Sequence, residues 1–276
     1  MEDPREIVRD KYGEIARNKT SCCGPAKSCC GKDSSADHLS KDIGYSDEEL
    51  SIVPDDANLG LGCGNPTALA TLKQGEVVLD LGAGGGMDCF LAAKKVGETG
   101  KVIGVDMTPD MVSLARKNAV KVNAGNVEFR LGEIENLPAA DNIADVIISN
   151  CVINLSPDKK RVFQEAYRVL KPGGRMMISD IVLLRPLPDK IKESIDAYVG
   201  CVGGALLKTE YLDSIAAAGF ENIKVMGEQT FSIVANDDPY IKSLTETFSL
   251  SPEQLKEISE SIVSVKVKAE KMKDKG

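Results

Sequence analysis

The sequence has no tryptophan, only 4% aromatic residues and a single histidine, His38. Scarce aromatics argue against stacking on nucleic-acid bases. A net charge of −8 repels phosphate backbones, so no nucleic acid partner is expected. Neither feature excludes a small neutral substrate. The shortage of histidine removes the commonest general base, although carboxylates could serve. His38 lies in a polar stretch and reads as solvated surface. No apolar run reaches the roughly 18 residues of a membrane span, so no membrane partner is expected. Met1 to Lys19 is mostly charged and lacks the apolar core of a signal peptide. A cytoplasmic location is therefore expected, where thiols stay reduced. What the chain does have is 8 cysteines: Cys22, Cys23, Cys29, Cys30, Cys63, Cys89, Cys151 and Cys201. In a reducing compartment they call for a role other than structural disulfides.

Hydrophobic residues make up 42% of the 276 positions, enough for a sizeable core in one large α/β domain with appendages, or in two small ones. Residues 2–18 read as an amphipathic helix with Ile7, Val8, Tyr12 and Ile15 on one face. Ser21-Cys22-Cys23-Gly24 then recurs as Ser28-Cys29-Cys30-Gly31, in a polar, Gly/Ser-rich arm running to about Ser40. Asn58 to Pro66 is glycine-rich and carries Cys63. From Val77 the pattern changes. Apolar strand-like runs at 77–81, 102–105, 127–131, 144–149 and 175–181 alternate with helical stretches at 88–96, 109–120 and 159–170. That alternation predicts a doubly wound, mostly parallel sheet covered on both faces. A helix around 208–218 is followed by two strand-like runs, 222–227 and 230–235, spaced as a hairpin. The tail from Ser251 reads as a charged amphipathic helix serving packing or an interface. The expected division is an N-terminal helix and cysteine arm (1–57), the α/β domain (58–236) and a C-terminal helical extension (237–276).

The first strand runs into Asp80-Leu81-Gly82-Ala83-Gly84-Gly85-Gly86. A glycine-rich strand-to-helix turn lets a ligand approach the backbone, and the helix N-terminus offers free N–H groups. Alone it could be a turn without a ligand. Two features sharpen it. The spacing is G-x-G-x-G, with Met87 at the sixth position of a dinucleotide fingerprint. Val102-Ile103-Gly104-Val105-Asp106 also ends the second strand in an acid that can accept both ribose hydroxyls or cap the next helix. Gly132-Glu133-Ile134-Glu135-Asn136-Leu137-Pro138 follows the third strand. In combination, residues 77–181 resemble the class I S-adenosylmethionine-dependent methyltransferases. The resemblance implies a seven-stranded Rossmann-like sheet and S-adenosyl-L-methionine as methyl donor. It implies donor contacts from Asp80, Gly82, Ala83, Gly84, Asp106, Met107, Gly132, Glu133, Ile134 and Asn150.

The cysteines bear on the acceptor. Thiolates are soft ligands that select soft ions. Trivalent arsenic held by three thiolates keeps a lone pair that can attack a methylsulfonium carbon without a base. Gly60-Leu61-Gly62-Cys63-Gly64, Ser149-Asn150-Cys151-Val152-Ile153-Asn154-Leu155 and Gly200-Cys201-Val202-Gly203-Gly204-Ala205-Leu206 resemble the cysteine motifs of arsenite methyltransferases. Lys11-Tyr12-Gly13, Thr20-Ser21-Cys22-Cys23, Gly86-Met87-Asp88-Cys89 and Val105-Asp106-Met107-Thr108 are similar to segments of that family too. The resemblance implies that Cys151 and Cys201 bind arsenic, that Cys63 is the third thiolate, and that Cys23 or Cys22 joins a disulfide cycle. It implies arsenite and methylarsenite as substrates, with a thiol reductant such as thioredoxin or glutathione returning electrons. The doubled arm leaves the N-terminal assignment open. Cys89 reads as a buried core residue. Cys29 and Cys30 could capture metal or have no role. Two other functions remain at this stage. One is a methyltransferase acting on a carbon or oxygen nucleophile such as a quinone precursor. The other is a thiol-based metal sensor or sequestering protein.

Overall fold

A computed structural model describes residues 3–18, 35–66, 71–192, 201–230 and 251–273. The expected strands form at β1 (Val77–Leu81), β2 (Lys101–Asp106), β3 (Val127–Leu131), β4 (Ala144–Asn150) and β5 (Leu170–Leu183). They join β6 (Glu221–Thr230) and β7 (Ile262–Glu270) in a 7-stranded sheet of order β3-β2-β1-β4-β5-β7-β6. The first five strands pair in parallel, and β7 runs antiparallel to both of its neighbours.

Strands buried on both faces need side chains that are apolar in both directions. Leu79, Leu81, Ile103, Val105 and Ile147 point to one layer, with Val162, Phe163 and Ala166 of α6 (Lys159–Val169) and Tyr211 and Ile215 of α7 (Lys208–Ala217). Val78, Val102, Val146 and Ile148 point to the other, with Cys89 and Phe90 of α4 (Met87–Val96) and Val112 and Ala115 of α5 (Pro109–Lys121). Cys89 is fully buried there, so its reading as a core residue stands. Pro109 opens α5, where a missing N–H costs nothing.

The order of the sheet decides where a ligand can bind. From β1 the chain moves outward through β2 and β3, then returns to pair β4 against the other side of β1. Leu81 and Ser149, at the ends of β1 and β4, lie side by side. A crevice opens where the winding direction reverses, outside the carboxyl ends of the strands. Helix α1 (Pro4–Asn18) lies against this end: Val8 packs with Cys63, Cys151 and Leu155, and Ile15 packs with Met111 and Leu114 of α5. Two short helices, α2 (Ser35–Asp42) and α3 (Asp47–Ile52), follow on the same side of the sequence, α3 closed by a Ser46/Glu49 capping box.

The C-terminal reading needs correction. The tail is helical only through α8 (Pro252–Ser261) and then becomes β7. Val263, Val265, Val267 and Ala269 are buried while Lys266, Lys268 and Glu270 are partly exposed, so the segment carries a period of two. Its many charges masked that period. In place of the expected pairing of 222–227 with 230–235, β6 pairs antiparallel with β7, which inserts between β5 and β6. β6 continues unbroken through residues 222–227 to Thr230, and the rest of the 230–235 run lies outside the described residues. No helix among the described residues is long and apolar enough to cross a membrane.

Candidate active site

The crevice is a cavity of about 1040 Å³, counting its open mouth. Its floor is the turn after β1, with Gly82, Ala83, Gly84 and Gly85. These glycines answer different demands. A Cβ at Gly82 would collide with Val152 Cγ2 at 2.4 Å, and its φ of +75° suits glycine. Gly84, with φ +51°, would place a Cβ within 4 Å of nothing among the described residues. Its backbone faces open space that a ligand can fill. Asp106 stands at the end of β2, its carboxylate accepting from Gly84 N at 2.9 Å and Thr108 N at 2.8 Å. The Thr108 hydroxyl donates to the carboxylate as well. Burial raises its pKa despite these bonds.

A web of hydrogen bonds closes one wall. Tyr45 OH donates to Asp88 Oδ1 at 2.6 Å. Asn150 Nδ2 donates to Tyr45 OH at 2.9 Å, to Gly64 O at 2.7 Å and to Asp88 Oδ2 at 3.2 Å. Asn150 Oδ1 accepts from Cys63 N at 3.0 Å. One amide thus ties the cavity to the loop that carries Cys63. Burial pushes Asp88 up to about 6, and burial with the neighbouring Asp88 pushes Asp80 up as well. Asp80, Asp88 and Asp106 all line the cavity, so it favours a ligand bearing positive charge.

Next to the cavity lie three free, buried thiols from three segments. Cys63 precedes the sheet, Cys151 follows β4 and Cys201 comes after β5. They share an apolar cluster with Val8, Leu155, Ile181 and Leu183. Cys201 Sγ donates to Cys151 O at 2.9 Å, while Cys151 N donates to Ser179 O at 2.8 Å and Ser264 Oγ to Cys63 O at 2.8 Å. Cys151 and Cys201 have φ of +59° and +64°. That left-handed backbone is costly for a residue with a Cβ and gathers at functional sites. Hydrogen bonds from Cys201 and Cys63, then burial, push the Cys151 thiol well up. Burial likewise raises Cys63. Both are thiols, not thiolates, at neutral pH until something displaces their protons.

A carboxylate completes the cluster. The ligand atoms of Cys63, Cys151 and Asp180 lie within 4.8 Å of one another. Asp180 Oδ1 accepts from Asn154 Nδ2 and Ile181 N, both at 2.9 Å, and Oδ2 accepts from Tyr211 OH at 3.0 Å. Burial pushes it up to about 7. Lys159 faces Asp180 and Cys201, and burial lowers its pKa.

The sequence matches the model of a methyltransferase domain family over residues 72–219, more than half of its length. The chain belongs to this methyltransferase family. It is 49% identical over 231 residues to an arsenite methyltransferase of Halobacterium salinarum, covering 81% of this chain and 59% of that one. It is 37% identical over 235 residues to an arsenite methyltransferase of Aquipseudomonas alcaligenes, covering 83% and 65%. It thus spans about three fifths of the length of these curated relatives. A crystal structure of CrArsM, an arsenic (III) S-adenosylmethionine methyltransferase from Chlamydomonas reinhardtii, superposes with a TM-score of 0.64 at 33% identity over 86% of this chain and 74% of that one.

Among the residues expected to touch a methyl donor, Asp80, Gly82, Ala83, Gly84, Asp106, Met107, Ile134 and Asn150 line the methyltransferase cavity. Gly132 and Glu133 do not. A Cβ at Gly132 would press on Pro138 at 2.7 Å, and Glu133 is engaged by Arg5 at 3.1 Å and Arg9 at 3.3 Å. Glu133 therefore holds α1 in place. Cys151 reaches the cavity wall, with Cys63 and Cys201 packed beside it. Cys22, Cys23, Cys29 and Cys30 lie outside the described residues. His38 is exposed. Sequence reasoning missed Tyr45, Asp88, Lys159 and Asp180. Two of them had a signal: Asp88 lies in the family-like Gly86-Met87-Asp88-Cys89 segment, and Asp180 is an acid far along an apolar strand.

Proposed function

We propose that this chain transfers methyl groups from S-adenosylmethionine to trivalent arsenic held by Cys63, Cys151 and Cys201. The observation that carries the reading is the convergence of these buried thiols beside a glycine-floored, acid-lined cavity. The names of the relatives agree with it.

The cavity suits the donor. Its open floor at Gly84 accepts close approach, Asp106 keeps acceptor capacity for ribose hydroxyls, and the acidic wall fits a cationic ligand. The donor supplies an electrophilic methyl carbon on a sulfonium. Arsenite, As(OH)₃, meets three thiols: each S–H proton leaves with an arsenic hydroxyl as water, and three As–S bonds form. No external base is needed, which suits thiols that burial keeps protonated. The arsenic lone pair then forms the As–C bond while the methyl–sulfonium bond breaks. Arsenic is formally oxidised by two electrons. Two thiols return them and become a disulfide, which a thioredoxin- or glutathione-type reductant reopens. Cys22 or Cys23 joins that cycle in this reading. The catalytic unit includes β7, which completes the sheet, and α1, which lines the cavity through Arg5, Val8 and Tyr12.

The test is product analysis after incubation with arsenite, methyl donor and excess thiol. Methylated arsenicals support the proposal. Donor consumption only with a quinone-type acceptor overturns it. Replacing Cys22 and Cys23 together with Ser should impair turnover of arsenite and spare that of methylarsenite, in a paired assay. Equal loss on both substrates would make the arm a general arsenic ligand.

A further inference from the structure

The thiol cluster contains one donor more than trivalent arsenic requires. Three thiolates satisfy arsenic, and its fourth position holds a lone pair. Here a fourth group, the Asp180 carboxylate, sits among the sulfurs. One of its oxygens and the sulfurs of Cys63 and Cys151 lie within 4.8 Å of one another. Cys201 approaches Cys151 closely enough to bond its carbonyl. All four residues are buried.

We propose that Cys63, Cys151, Cys201 and Asp180 form a four-coordinate site for a soft divalent cation of the zinc and cadmium class, which competes with the metalloid. A Zn–S bond of about 2.3 Å gives tetrahedral edges of about 3.8 Å, so Cys63, Cys151 and Asp180 need only a modest contraction, while Cys201, outside that 4.8 Å group, has to turn in from its bond to the Cys151 carbonyl. A d¹⁰ cation has no stereochemical lone pair and takes the fourth donor that arsenic leaves aside. The carboxylate is already oriented for this. Asn154, the Ile181 N–H and Tyr211 hold its two oxygens, as outer hydrogen bonds orient the ligands of metal sites. Binding replaces three S–H bonds by S–metal bonds and releases the protons to solvent, with no change of oxidation state. With four protein ligands and little solvent access the site resembles closed structural sites, so the bound ion blocks methylation instead of promoting it.

The cation site rests on the cluster alone, and its competition with the metalloid rests on the function proposed above; one experiment separates the two. The probe is cadmium, added to the reduced full-length chain in which Cys22, Cys23, Cys29 and Cys30 are replaced by Ser, so that the arm does not compete. One cadmium per chain should bind, with thiolate-to-cadmium absorption and a ¹¹³Cd resonance of a three-sulfur, one-oxygen site. Prior loading with arsenite should abolish the signal. Asp180→Asn should weaken cadmium by at least about tenfold, the scale for losing a supporting partner of a metal site, while donor binding reports that the variant folds. Should that variant not fold, the ¹¹³Cd resonance decides alone. A resonance of two or fewer sulfurs, no cadmium bound at equivalence, or unchanged affinity in folded Asp180→Asn would overturn the inference. Arsenite binding without cadmium binding leaves the methylation proposal standing; cadmium binding without arsenite binding does the reverse.

Discussion

The cavity and the thiol cluster meet at Asn150, but they are assembled in opposite ways. Asp80, Gly82, Ala83, Gly84, Asp106 and Met107 come from one β-α-β stretch, and Asp106 is fixed by the backbone N–H groups of Gly84 and Thr108. Cys63, Cys151, Asp180 and Cys201 come from four separate segments and are held through one another, through carbonyls and through distant side chains. A pocket built from local backbone tolerates the loss of a side chain at limited cost. A cluster built by tertiary convergence loses its chemistry when one member goes. On the function proposed above, the difference also separates donor binding, assigned to the first region, from metalloid binding, assigned to the second.

The largest expected effect tests that separation. Cys151→Ser and Cys201→Ser keep size but remove a soft donor, and each should lower arsenic methylation by well over about 100-fold, beyond the loss from a missing supporting partner. Donor affinity by calorimetry should stay nearly the same. Substantial methylation by either variant would remove the soft-ligand mechanism. Asp106→Ala is the converse. It should weaken the donor by about 1.5–3 kcal/mol, the range for hydrogen bonds to a charged group, and leave arsenite uptake by the thiols intact. Unchanged donor affinity in a folded variant would exclude a ribose contact.

Gly62→Ala strikes the joint between the regions. Its Cβ would come within 2.5 Å of Asn150 Nδ2, next to the Cys63 N–H that Asn150 holds. Overpacking of this kind costs roughly 1–3 kcal/mol of stability. Methylation should fall more than donor affinity, because the displaced loop carries a thiol; an equal fall would mean that the two regions act as one. The last effect concerns pH. Burial pushes Asp88 up to about 6, against about 3.9 in an unfolded chain. Between these values the unfolded chain has released this proton and the folded chain has not. This group therefore makes stability fall as pH rises from about 4 to about 6, at up to about 1.4 kcal/mol per unit. Asp88→Asn should flatten that fall. Urea midpoints for both proteins across the window check it, and parallel curves would assign the raised pKa elsewhere.

Much of this was legible before the fold was known. The first five strands, the glycine turn and Asp106 follow from short-range patterns, and the structure keeps them in register. The pairing of Glu133 with Arg5 and Arg9 had no local signal, because these partners lie in a helix far away in sequence. β7 was hidden because its alternation of valines with lysines sits beside a charged helix, and only a gap between β5 and β6 makes a strand of it. Tyr45, Lys159 and Asp180 carry no motif; their meaning comes from what surrounds them.

The sequence alone determined the parallel α/β core, the cavity floor and the cysteines worth watching, since hydrophobic period and glycine spacing act over one turn or one strand. Only the tertiary structure decided that Cys63, Cys151 and Cys201 meet and that Asp180 joins them, because proximity between distant segments is set by strand order, and the reversal between β1 and β4 brings their ends together.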